Sequence, residues 1–235
     1  GLLRRRTLLA QSSNIQPAGG ESVGSASNSD FNSGMYLRTP QDEIDSMPGF
    51  SAGNTIIMPT IGLSLGYDDN ITRANREEID SFFYLISPAI RWEIPSDRSI
   101  LALTAAADII RYTDSEIDNR TRWYLRGDWA WDISTRQDIN LFAQYAEGAD
   151  ARGTGRRQGD VGLIPVDPDK WKRVDYGGMW RYGGIGARGK LDLRAGGSSL
   201  DYRNNRDRTY LLDRDWWFVG GSFFWRVAPK TSLVA

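Results

Sequence analysis

The chain has no cysteine and no histidine. Without cysteine there is neither a disulfide framework nor a thiolate metal site, and passage through an oxidising compartment carries no risk of mispairing. Without histidine the usual general base, the serine-triad partner and the commonest metal ligand are missing, so no cofactor or metal is expected and hydrolysis by a His dyad or triad is excluded. A continuous apolar run of about 18 residues is also lacking, which excludes transmembrane helices but not strands that alternate. Charge of one sign is balanced by the other, with 29 basic against 30 acidic residues and no basic stripe, so nucleic acid is not an expected partner. Glycine and aromatics are abundant: 25 Gly, 9 Trp, 10 Tyr and 8 Phe. They favour strands and turns over helices.

Residues 1–10 (GLLRRRTLLA) carry three arginines and an apolar patch too short for a signal peptide. They read as a remnant of targeting sequence or an exposed basic end. Residues 11–34 are rich in Ser, Asn and Gly and read as a flexible linker. A short helical turn is expected around residues 41–46, where Thr39-Pro40-Gln41-Asp42-Glu43 has the form of an N-terminal cap and an acidic first turn. Residues 1–54 thus form a flexible N-terminal extension, suited to a periplasmic or plug role.

From Thr55 the period becomes two. The first strand, about residues 56–67, sets Ile61, Leu63, Leu65 and Tyr67 against Thr60, Gly62, Ser64 and Gly66. Further strands are expected at about 79–94, 99–112, 123–133, 139–146, 172–186, 190–202 and 212–227. The clearest alternates Trp123, Leu125, Gly127, Trp129 and Trp131 with Tyr124, Arg126, Asp128, Ala130 and Asp132. No helical period produces that. Residues 232–235 begin a ninth strand. Tight connections at 95–98, 134–138, 187–189 and 228–231 alternate with long polar ones at 68–78, 113–120, 147–171 and 203–211. This is how transmembrane barrels of the outer-membrane type divide their two ends. The expected fold is therefore all-β: an antiparallel transmembrane β-barrel region over residues 55–235, with about eight strands and the start of a ninth, or a portion of a larger barrel.

The pairs Tyr84 and Trp92, Trp123 and Trp131, and Trp217 and Trp225 are each eight residues apart on the outward parity of alternate strands. At about 3.3 Å per residue and a tilt of roughly 40° they span about 20 Å of membrane normal, close to the separation of interfacial aromatic girdles. The opposite parity collects charge: Arg91, Glu93, Asp108, Arg126, Asp128, Asp132, Arg173, Asp175, Arg181, Asp192, Arg194, Asp215 and Arg226 are the lumen-facing candidates. On lipid each would cost kcal/mol near the midplane. They read either as a salt-bridge network holding the wall or as a path for a polar solute. Phe142, Trp216, Phe218 and Phe224 are aromatic on the same parity, placed to stack on sugar rings or to pack against the N-terminal segment. Asp68-Asp69-Asn70 reads as a hydrogen-bonded turn or a hard-oxygen cation site. The 147–171 connection, with Arg152, Arg156, Arg157 and Asp160, reads as a surface loop or an inward-folded constriction.

The run Pro59-Thr60-Ile61-Gly62-Leu63-Ser64-Leu65-Gly66-Tyr67-Asp68-Asp69-Asn70-Ile71 resembles the opening strand of the putative beta-barrel porin family found in exopolysaccharide gene clusters. The resemblance covers residues 55–235 and implies an outer-membrane component of polysaccharide export, with outer-membrane lipid, polysaccharide or a small polar solute, and periplasmic export proteins as partners. It implies no catalytic residues. The expected function is an outer-membrane channel without chemical catalysis. The alternatives are a non-conducting structural or adhesion barrel and a soluble secreted carbohydrate-binding β-sandwich. An enzyme working through Asp128 and Asp132 is disfavoured, since carboxylates at i and i+4 on a strand stand about 13 Å apart, beyond glycosidase separations.

Overall fold

A computed structural model describes residues 49–73, 78–152, 167–184, 186–228 and 231–234. The expected linker at 11–34, the helical turn at 41–46 and the middle of the 147–171 connection lie outside these. Ten strands form one antiparallel sheet: β1 (Phe50–Ala52), β2 (Thr55–Asp68), β3 (Ser81–Pro95), β4 (Ser99–Tyr112), β5 (Arg120–Ser134), β6 (Gln137–Ala149), β7 (Lys170–Tyr182), β8 (Gly189–Tyr202), β9 (Arg214–Ala228) and β10 (Thr231–Val234). Each pairs with its sequence neighbours, and β1 and β10 are not paired with each other. The eight long strands lie at the expected places and the expected ninth is β10, but β7 ends at Tyr182 rather than 186, where Gly183 and Gly186 turn the chain at positive φ, and β9 starts at Arg214 rather than 212, after a 3-10 turn. The sheet begins at Phe50 rather than 55, because residues 50–52 fold back on 55–57 as a three-residue hairpin arm too short to show alternation. Among the described residues no helix is long and apolar enough to cross a membrane.

Connections at one end of the sheet are tight and at the other end long, as expected from the spacing of turn residues. Period-two alternation puts side chains of opposite character on opposite faces, and burial then separates them in an unusual sense. Leu65 is 87% exposed and Arg91 6%. One face carries exposed Ile61, Leu63, Leu125, Trp217 and Val219, while the other buries Arg91, Thr104, Asp128 and Asn140. A single sheet can cover only its concave face, so the wall curls with its polar face inside. Among the described residues nothing packs on the apolar face, whereas the sandwich alternative requires a second layer there.

Inside, the core is thin. Met58, Ala89 and Ala106 form one small cluster and Ala146, Trp171 and Leu200 another, with Tyr124 packed against both. Pro88 sits within β3, where its missing N–H interrupts the ladder to β4 between Ile86 and Ala89. The Ser87 hydroxyl donates to Asp108 Oδ1 at 2.7 Å across the same gap. The two sides of the sheet remain open along most of their length: β1 covers only residues 55–57 of β2, and β10 only residues 224–228 of β9.

Candidate functional site

Register fixes the inner face residue by residue. Arg91 lies opposite Thr104, Thr104 opposite Arg126, Arg126 opposite Gln144, and Gln144 opposite Asp175, so a polar belt crosses five strands at one hydrogen-bonding level. It continues through Ser198 to Trp216. On β3, β5 and β7 an arginine of this face, Arg91, Arg126 or Arg173, has a carboxylate two residues away, which is one step along the same face of an extended strand. Arg91 Nε meets Glu93 Oε1 at 3.1 Å, Arg126 Nη2 meets Asp128 Oδ1 at 2.7 Å, and Arg173 Nη2 meets Asp175 Oδ1 at 2.7 Å. Arg126 also donates through Nε to Asp128, a two-pronged contact that fixes the guanidinium plane. That plane lies over the Phe142 ring, 4.7 Å from its centre. Each of these three pairs closes within a single strand.

Twelve of the thirteen expected inner charges share this face: Arg91, Glu93, Asp108, Arg126, Asp128, Asp132, Arg173, Asp175, Arg181, Asp192, Arg194 and Arg226. Asp215 does not, and its expected place is corrected. It pairs with Ser199 and precedes Trp217 by two residues, so it stands on the outer face at the loop end of β9. Asp138 escaped the sequence reading. It accepts from Arg181 Nε at 2.7 Å across the β6–β7 ladder and from Asn140 Nδ2 at 3.3 Å. Cross-strand partners of this kind need the register, which alternation does not supply.

Aromatic rings of the inner face are seated on glycines. A Cβ on Gly177 would stand 2.7 Å from the Phe142 ring, and one on Gly196 would stand 2.9 Å from the Phe218 ring and 2.8 Å from the Tyr176 carbonyl. Only the bare backbone admits such an approach. Trp216 stacks on Phe218 two residues along, with centroids 5.8 Å apart and planes 21° from parallel. The six expected interfacial aromatics, Tyr84, Trp92, Trp123, Trp131, Trp217 and Trp225, all stand on the outer face.

At the loop end a polar network ties three connections together. Asp118, in the connection from β4 to β5, accepts from Ser115 Oγ at 2.6 Å and from Arg152 Nε at 2.7 Å. The Asp118 carboxylate holds the Arg152 pKa above its ordinary value, although burial works the other way. Asp150 accepts from Trp171 Nε1 and from the Tyr202 hydroxyl, both at 2.9 Å. Asn205 Nδ2 donates to Asp169 Oδ1 at 2.7 Å, and Asp213 accepts from the Tyr202 amide at 2.7 Å and from Arg206. Burial pushes the Asp213 pKa up, but the Tyr202 amide, the Arg206 guanidinium and the Lys172 charge outweigh it and hold the carboxyl below its ordinary range. At residues 68–70 the Asn70 amide donates to Asp68 Oδ1 at 3.0 Å, the hydrogen-bonded turn of the two readings. Among the described residues no acidic cluster is arranged to hold a metal ion.

The family model described as putative beta-barrel porin 2 matches residues 46–168, which takes in β1–β6 and the connection that follows. No curated protein and no solved structure matches the chain.

Proposed function

The chain belongs to the putative beta-barrel porin 2 family, and from that premise we propose that it spans the bacterial outer membrane and conducts a polar solute along its charged inner face. A family of this kind supports an outer-membrane channel in general, without catalysis. Polysaccharide is the solute we favour. Its hydroxyls suit an inner face lined with both signs of charge, and its ring faces suit the aromatics seated beside them.

One observation carries the membrane reading. Trp217, the loop-end aromatic of β9, lies in the register row of Trp92, the turn-end aromatic of β3, reached through Leu103, Gly127, Ala143, Tyr176 and Gly197. Along β3 that row is eight residues from Tyr84. Strands standing upright would leave the girdle aromatics of β3 and β9 at different heights. An offset of about 26 Å along the strands over six inter-strand steps of about 4.8 Å is levelled by a tilt of roughly 40°. That is the inclination of strands in outer-membrane barrels, about 35–45°. Trp123 slopes in the same direction, since its row meets β3 four residues beyond Tyr84 after two strand steps. The charged outward residues Arg111, Glu147, Lys172, Asp201 and Asp215 lie on the loop side of this line. A soluble wall has no reason to keep its aromatics level across tilted strands.

In hydrocarbon the open edges of β2 and β9 would leave a row of N–H and C=O groups without partners, at several kcal/mol each. The reading therefore requires those edges to be paired, with each other or with further strands. Fractionation tests membrane residence. Recovery in detergent-extracted outer membrane, with gel migration that changes on heating, is expected; recovery in the soluble fraction refutes it. Steps of ion current in a planar bilayer test conduction, and insertion without current assigns the protein to the structural barrels instead.

A further inference from the structure

The inner face changes character at β8. From β3 to β7 four of its arginines, Arg91, Arg126, Arg173 and Arg181, are matched by carboxylates on the same or the neighbouring strand, while Arg120 and Arg122 lie over the rings of Tyr112 and Trp171. On β8 and β9 the inward parity holds Lys190, Arg194, Arg214 and Arg226 against Asp192 alone. Asp192 and Arg194 have the two-residue spacing that forms ion pairs elsewhere on this face, yet here they form none. Among the described residues Lys190, Arg194 and Arg226 are joined to no carboxylate. The same two strands carry the stacked Trp216 and Phe218 and, further toward the turns, Phe224 opposite Lys190. Between them stand Gly220 and Ser222, and a Cβ on Gly220 would meet nothing within 4 Å. Aromatic rings and cations therefore alternate along β8–β9 from the loop end to the turn end, beside open space.

We propose that the inner face of β8–β9 is a binding track for an acidic glycan, a polymer of pyranose rings bearing occasional carboxylates. The proposal rests on the channel reading above and names the class of solute. Each group finds a use in such a chain. Flat rings present π faces to the C–H faces of sugars. Guanidinium and ammonium groups that lack a protein carboxylate take one from the ligand, where the bond is charge-assisted. Asp192 and Ser222 exchange hydrogen bonds with hydroxyls. A nucleic acid, with a phosphate on every unit, calls for a denser line of cations and for no Asp192 among them.

The test uses the full chain folded in detergent, where binding needs no pore. Calorimetric titration with hexagalacturonate is compared with maltohexaose as the neutral hexamer and with an oligothymidylate as a polyanion without pyranose rings. The acidic hexamer is expected to bind at least about tenfold more tightly than either, and to lose that margin as ionic strength rises. Arg194→Gln combined with Arg226→Gln removes the margin and leaves maltohexaose unchanged, while Trp216→Leu weakens both sugars. Equal affinity for the two hexamers, equal affinity for the oligothymidylate, or a margin insensitive to salt overturns the track. The salt series is run on the unaltered chain, so it decides the matter even if a variant fails to fold. Binding without current in the bilayer overturns the channel and keeps the track; current without preferential binding overturns the track and keeps the channel.

Discussion

Val219 and Gly220 are neighbours on β9 that face opposite sides of the wall, the first among exposed apolar side chains and the second beside Arg194. The contrast is general. Outside, side chains are oily and open; inside, from β3 to β7, they are charged and covered, and the inner side opens toward β9. Burial here is set by the curvature of the sheet rather than by hydrophobicity, so the usual inference from an exposed leucine or a buried arginine runs in reverse. A wall of this kind is stable only if its oily side meets another oily phase, and the two faces respond oppositely to the same substitution.

The sharpest way to break the comparison is to place one charge on each side. Val219→Arg, two residues inside the girdle at Trp217, is expected to cost about 1–3 kcal/mol when folded in lipid vesicles, and Gly220→Arg less than about 1 kcal/mol, because the second side chain enters the open inner side. Denaturant titration of the two vesicle-inserted proteins measures the difference, and equal costs would refute the assignment of faces. Next comes Asp128→Asn, which leaves the half-buried Arg126 guanidinium without its carboxylate and is expected to cost about 1–3 kcal/mol by the same titration. Gly196→Ala, whose Cβ would press on the Tyr176 carbonyl and the Phe218 ring, is expected to cost roughly 1–2 kcal/mol and to change the near-UV circular dichroism of the Trp216–Phe218 pair. The smallest effect is at the loop end. A carboxyl with a depressed pKa stabilises the fold above its ordinary titration range and stops doing so as pH falls through the folded value. Acidification below about pH 4 should therefore release Asp213 from the Tyr202 amide and Arg206, seen as faster hydrogen exchange at residues 202–213. Asp213→Asn should produce that faster exchange at neutral pH.

Much of this was legible because a strand has a period of two. Alternation alone placed twelve of the thirteen inner charges and all six outer aromatics, and the run from Trp123 to Trp131 is unambiguous. Asp215 was misplaced by being grouped with Arg226, although it shares the parity of Trp217. Alternation carries no information about register. The level shared by Trp92 and Trp217, the partnership of Arg181 with Asp138, and the seats that Gly177 and Gly196 give to Phe142 and Phe218 all depend on which residues lie opposite one another. The loop-end contacts of Asp118 with Arg152 and of Asp150 with Trp171 and Tyr202 join distant positions by single side chains, which no local pattern announces. The arm at residues 50–52 is too short for any period to appear.

The slope of the girdles has a mechanical consequence. A polymer guided by rings and cations along β8 and β9 follows the strand direction, which departs from the membrane normal by roughly 40°. Each length of chain that advances through the wall is also carried sideways around it. On the proposed track translocation would be a screw motion, in which the chain rotates as it travels and the pitch is fixed by the register of the hydrogen bonds.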